Sequence, residues 1–125
     1  MSSIQVADQT FVAASGAAVA EVLGGPTNWR GWWPDLLLEV REDRGEQGIR
    51  WTVRGGLEGT MEVWLQPMLD GVILHYFLHA EPMPALHVKQ LPAANRARRV
   101  AGKDMAFEIK ARLEAGRPAG VAPAC

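Results

Sequence analysis

The sequence predicts an α+β domain in which one antiparallel sheet is covered by a long C-terminal helix, and three observations carry the prediction. Apolar residues recur with period two from Leu36 to His79, in segments separated by polar or glycine-rich breaks. From Arg96 to about Ala115 the period becomes four: Ala101, Met105, Ile109 and Leu113 stand amid basic and acidic residues. Between these and a first strand, Trp29-Arg-Gly-Trp32-Trp33-Pro34 concentrates three of the five tryptophans in five residues. Each ring could remove roughly 150–250 Å² from water, so leaving all three exposed is disfavoured. They are either ordinary core or the lip of an apolar cavity in which at least one ring meets a ligand.

The elements follow in order. Ile4 to Ala13 alternates loosely and carries Val6, Thr10, Phe11 and Val12, types that suit a pleated surface. Ser15 is a good N-cap for a short apolar helix over Gly16 to Leu23, which Gly24-Gly25-Pro26 stops. Thr27 or Asn28 can cap a second short helix holding the tryptophans, and Pro34 bars its continuation. Leu36, Leu38 and Val40 then alternate with Leu37, Glu39 and Arg41. After a polar turn from Glu42 to Gly48, Ile49, Trp51 and Val53 alternate with Arg50, Thr52 and Arg54, and Gly55-Gly56 permits a tight turn or bulge.

A second hairpin pairs Met61, Val63 and Leu65 with Leu74, Tyr76 and Leu78 as an inward apolar face, with Pro67 to Gly71 as its loop and Val72 to His79 as its return strand. The outward face shows Glu58, Glu62 and Gln66 beside Trp64, Ile73, His75, Phe77 and His79, which implies a covered sheet, as at a homodimer contact. Glu81 to Pro92 reads as a connecting loop, Asn95 as the cap of the final helix and Gly116 as its C′ residue. Residues 1–116 form the expected single domain, and 117–125 an expected disordered tail.

Thirteen basic residues against fourteen acidic give a net charge of −1, so no global field favours nucleic acid or an anionic membrane. The single cysteine, Cys125, excludes an intramolecular disulfide, the first residues lack the pattern of a secretion signal, and no apolar run is long enough to cross a bilayer. A cytoplasmic location is the expectation.

Phe11-Val-Ala-Ala-Ser15 leading into a helix, the aromatic turn Asn28 to Pro34, Leu57-Glu-Gly-Thr-Met-Glu-Val-Trp-Leu65 before a strand rich in Leu and Tyr, and the closing helix with Lys110, Leu113 and Glu114 carry a resemblance. Over nearly its whole length the chain resembles the START/Bet v 1-like (SRPBCC) superfamily, the polyketide cyclase/dehydrase and lipid-transport-like proteins. The resemblance implies a helix-grip fold, a curved antiparallel sheet wrapped around the C-terminal helix, with a cavity for lipids, polyketides or other apolar molecules. The family usually has more strands than this sequence supplies between Trp33 and Arg96, which implies a shortened sheet and an edge needing cover.

Few residues point to chemistry. His75 and His79 share a strand face about 13 Å apart at ~3.3 Å per residue, too far for one metal ion. Glu62 and His79 could form an acid/base pair, but on the outer face, where an ion pair is the plainer reading. Tyr76 could donate to a ligand carbonyl and Arg30 could meet a carboxylate, or each could be satisfied by the protein itself. The basic run Asn95-Arg-Ala-Arg-Arg99 lacks an aromatic stacking platform and reads as a solvated helix face, and no glycine arrangement matches a phosphate loop.

The sequence thus points to binding of a small hydrophobic molecule between sheet and helix. Trp29, Trp32 and Trp33 line the mouth, Trp51, Met61, Val63, Tyr76 and Leu78 the sheet wall, and Met105 and Ile109 the helix wall. No catalytic residue, cofactor or metal is expected, and neither a nucleic acid nor an integral membrane association. A homodimer stays open, as do two alternatives: a polyketide cyclase/aromatase-type enzyme, and a partner-binding protein with a collapsed core.

Overall fold

Tight turns at Gly56 and at Leu69-Asp70 dictate antiparallel neighbours, and the computed structural model, which describes residues 2–114, shows the full extent of the sheet. The elements run β1 (Ile4–Val12), α1 (Gly16–Leu23), α2 (Pro26–Trp32), β2 (Leu36–Asp43), β3 (Gly48–Gly55), β4 (Leu57–Met68), β5 (Gly71–Pro82) and α3 (Leu91–Glu114). Single-turn 3-10 segments lie at Gly45–Gln47 and Val88–Gln90. The strands pair antiparallel in the order β1-β5-β4-β3-β2, a five-stranded sheet in line with the expected shortening. No helix among the described residues is long and apolar enough to cross a membrane.

Local chemistry explains most boundaries. The Ser15 hydroxyl accepts the Ala18 N–H at 3.1 Å and opens α1 as predicted. Gly25, not Thr27 or Asn28, caps α2, because Pro26 occupies the first helical position, where its missing N–H costs nothing. Asn28 instead donates its side-chain amide to the Val22 carbonyl at 2.9 Å. The predicted inward face of β4 and β5 is observed, and its register sets Met61 opposite Leu78, Val63 opposite Tyr76 and Leu65 opposite Leu74. Both strands are longer than predicted, leaving Leu69-Asp70 as the turn and carrying Glu81 and Pro82 into β5. β4 outruns β3 beyond Trp64, so Pro67 interrupts no ladder on that side.

α3 begins four residues before the predicted cap. Pro92 lies in its first turn, which tolerates proline, and Asn95 is already inside the helix. The Gly116 cap and the tail lie outside the described residues.

Asn95 serves the sheet instead. Its amide donates to the Ser3 carbonyl at 3.0 Å and its oxygen accepts the Gln5 N–H at 3.0 Å. Farther along α3, Lys103 donates to the Gln9 carbonyl at 3.2 Å and Lys110 to the Phe11 carbonyl at 2.7 Å, while the Glu114 carboxylate accepts the Ala13 N–H at 2.9 Å. Ser3, Gln5, Gln9, Phe11 and Ala13 are all odd-numbered, so their backbone groups point away from β5 at the sheet's edge. Side chains of α3 therefore take the place of a further strand.

The inner sheet face and α3 close on one another around Gly102. A Cβ there would stand 2.4 Å from the Tyr76 ring, so glycine is what lets the helix backbone lie on that ring. Met105 and Ile109 continue the contact and, like Val63, Leu78 and Trp51, are fully buried.

Gly102→Ala gains up to ~1 kcal/mol in helix propensity but must displace a packed ring, at about 1–3 kcal/mol. A lower urea midpoint at unchanged m-value is the expected outcome. Asn95→Ala and Glu114→Ala should each raise hydrogen exchange at the amide they cover, Gln5 and Ala13 respectively, by roughly 3–10-fold, the equivalent of a bond worth ~0.5–1.5 kcal/mol, as read by NMR.

Candidate functional site at the open end of the grip

The tryptophan turn places its three rings in three different roles. Trp29 donates its indole N–H to the Leu23 carbonyl and sets its ring edge-on against Trp51 at 5.6 Å. Trp32 donates to the Glu108 carboxylate at 2.9 Å and so ties α2 to α3. Trp33, at the end of α2, turns fully inward: it meets Trp51 at 5.7 Å and lies nearly parallel to Tyr76, with ring centres 6.3 Å apart.

Of the ten residues predicted to line a cavity, Trp33, Trp51, Met61, Val63, Tyr76, Leu78, Met105 and Ile109 are buried in a single apolar cluster, and Trp29 and Trp32 are half-buried against it. The structure thus brings all ten together. Their side chains occupy the middle of the grip.

Two groups inside this cluster are chemically unfinished. The indole N–H donors of Trp33 and Trp51 are buried with no hydrogen-bond partner, a cost of about 1–3 kcal/mol each. The Tyr76 hydroxyl donates to the Met61 sulfur at 3.3 Å, a weak acceptor. Burial pushes the Tyr76 pKa well above the ordinary tyrosine value; the positive field of Arg98 and the nearby Trp33 indole, which leans toward the phenol oxygen without full hydrogen-bond geometry, pull it only partly back.

The open space lies at one end of the sheet, where β1 and β4 begin, β5 ends and α3 starts. A cavity of about 380 Å³ is lined there by Ile4, Gly56, Leu57, Pro82, Met83, Pro84, Leu86, Ala94 and Ala97, with Asp35 and Arg98 as its charged groups. The Arg98 guanidinium grips Asp35 through both carboxylate oxygens, at 2.9 and 2.5 Å. That pairing, chiefly the hydrogen bonds, holds the Asp35 carboxyl below its usual range.

None of these lining residues is among the predicted ligand-binding residues, and Arg98, which belongs to the basic run read as a solvated helix face, is instead mostly covered and paired with Asp35. Asp35 and Arg98 are 63 positions apart, so no local pattern joins them. The apolar run Pro82-Met-Pro84-Ala-Leu86, within what reads as a connecting loop, is the available signal.

The other candidates settle elsewhere. Arg30 is exposed beside a shallow groove of about 200 Å³ that also touches Trp29 and Leu36 to Leu38. Glu62 stands opposite Phe77 rather than His79 and pairs with Arg44 at 2.7 Å. On the outer face Trp64 stacks on His75 at 4.6 Å, and His75 lies parallel to Phe77 at 6.3 Å while bonding Gln66 at 2.9 Å. Trp64 remains 40% exposed, so nothing within the described residues supplies the cover predicted for this face.

No family model matches the chain, and no curated protein matches its sequence. Solved structures do match its fold. The Aha1 dimer from Colwellia psychrerythraea superposes with a TM-score of 0.67 at 12% identity, covering 92% of this chain and 99% of that one. A START superfamily protein from Mycobacterium smegmatis gives 0.68 at 13% identity, over 89% and 97% of the two chains. A Polyketide_cyc-like protein from Corynebacterium glutamicum gives 0.53 at 14% identity, over 94% and 97%. The fold is that of the START/Bet v 1-like (SRPBCC) proteins, an α+β helix grip.

Tyr76 is the chain's single tyrosine, so its titration can be read directly. A proton held more tightly in the folded state adds stability that is complete below the unfolded value near 10.0 and is lost as pH rises through the higher folded value. Absorbance at 295 nm should therefore stay flat in the folded protein through pH 11 and rise only with unfolding.

Proposed function

We propose that the protein binds a small hydrophobic molecule at the open end of its helix grip. The observation that carries this reading is the open-sided cavity of about 380 Å³ walled mostly by apolar side chains, within the size range of small-molecule sites. The packed cluster of Trp29, Trp32, Trp33, Trp51, Met61, Val63, Tyr76, Leu78, Met105 and Ile109 supplies none of its lining residues. Similarity in fold to a START superfamily protein and to a Polyketide_cyc-like protein accords with ligand binding.

Native mass spectrometry of freshly purified protein should show a retained small molecule, and apolar probes should shift tryptophan emission saturably. Ala97→Phe fills the cavity from α3 and should weaken binding by ~10-fold or more, equivalent to ~1.4 kcal/mol, without lowering stability. Equal binding by the filled variant would remove the cavity from consideration.

A second reading has its own support. The Trp64–His75–Phe77 stack on the exposed sheet face suits contact with another protein surface, such as a second copy of the chain. Trp64→Glu should then lower the oligomer mass measured by light scattering; an unchanged mass would exclude this face.

A further inference from the structure

The chemistry of the mouth cavity narrows its ligand, granted that the cavity is the binding site. We infer that it takes an amphiphilic acid, whose apolar body lies against Ile4, Leu57, Pro82 and Met83 and whose carboxylate replaces that of Asp35 on Arg98.

The two halves of the Asp35–Arg98 pair are unequally placed. The Arg98 side chain is 19% exposed and the Asp35 side chain 50%. The guanidinium sits inward, close enough for its field to reach Tyr76, whereas the carboxylate stands at the rim. Turning Asp35 out to water costs little, since half of it is already hydrated. Leaving Arg98 without an anion forfeits both of its charge-assisted hydrogen bonds on a side chain that is mostly covered. Any ligand that displaces Asp35 must therefore bring an anion. A carboxylate fits best, because it reproduces the two parallel N–H···O bonds that Asp35 now makes.

The body of such a ligand is limited by space. At ~30 Å³ per non-hydrogen atom, the share of one water in the liquid, about 380 Å³ accommodates roughly a dozen atoms. Acids of the size of octanoate meet both conditions. A neutral alcohol of equal length buries the same chain but offers nothing to Arg98, and an amine carries the wrong charge for it.

The test compares octanoate, 1-octanol and octylamine by tryptophan fluorescence and by calorimetry at constant ionic strength. Wild-type protein should prefer octanoate over octanol by about ten-fold or more. Arg98→Met should abolish that preference while keeping octanol binding. Asp35→Asn should tighten octanoate binding several-fold, because the internal competitor is gone; a merely structural ion pair would give weaker binding in the same variant. Octanoate and octanol binding equally to wild-type protein would overturn the acid inference and leave the cavity reading standing. If none of the three binds while Ala97→Phe changes nothing, the cavity reading fails, and the inference with it.

Discussion

The structure depends on a helix doing the work of a strand. An antiparallel sheet of five strands has two edges with unsatisfied backbone groups, and each must be covered or made unattractive. On β1, Asn95, Lys103, Lys110 and Glu114 reach across from α3 and bond the outward-pointing backbone of Ser3, Gln5, Gln9, Phe11 and Ala13. This fixes the rotation of α3 as well as its position. A helix turned by one residue would lose the backbone contacts and bring Gly102 away from Tyr76. The opposite edge, β2, is managed by charge, with Glu39, Arg41 and Glu42 along it and a register irregularity after Val40.

With the helix set, the tryptophans decide where space remains. A sheet this narrow curves over a small volume, and Trp33, Trp51 and Tyr76 fill its centre with rings 5.7 to 6.3 Å apart. Large flat side chains pack that centre at the cost of two indole donors with no acceptor. Emptiness is displaced to the end where strands stop and α3 carries alanines, Ala94 and Ala97, instead of longer residues. The mouth is open because the residues there are small, and it is charged because Asp35 and Arg98 meet across it.

Much of this was legible before any coordinates. Period two identifies the inward face of the second hairpin, since a slip of one position would bury Glu62 and Gln66, but a slip of two keeps the faces, so the register that sets Glu62 opposite Phe77 is not legible from it. Ser15 marked the start of α1, and the spacing of Met105 and Ile109 marked the buried side of α3. The errors share a cause. Proline was read as a boundary at Pro67 and Pro92, where a strand outrunning its neighbour and a helix's first turn both tolerate it. Asn95 was read as a cap because its role lies 90 residues away, at Gln5. The site suffered from the same blindness: period and composition place residues on faces, but the Asp35–Arg98 pair exists only once β2 and α3 are brought together.

The clamp along β1 is built differently at its two ends. Near the closed end, Lys110 and Glu114 bond each other at 2.7 Å as well as Phe11 and Ala13, so two strand residues and two helix residues are cross-braced. At the cavity end Asn95 makes two bonds to the strand, and Arg98 makes two more across to Asp35. The helix is thus pinned to the sheet at both ends of its length, and a ligand that takes over Arg98 would still leave the Asn95 bonds holding α3 to β1.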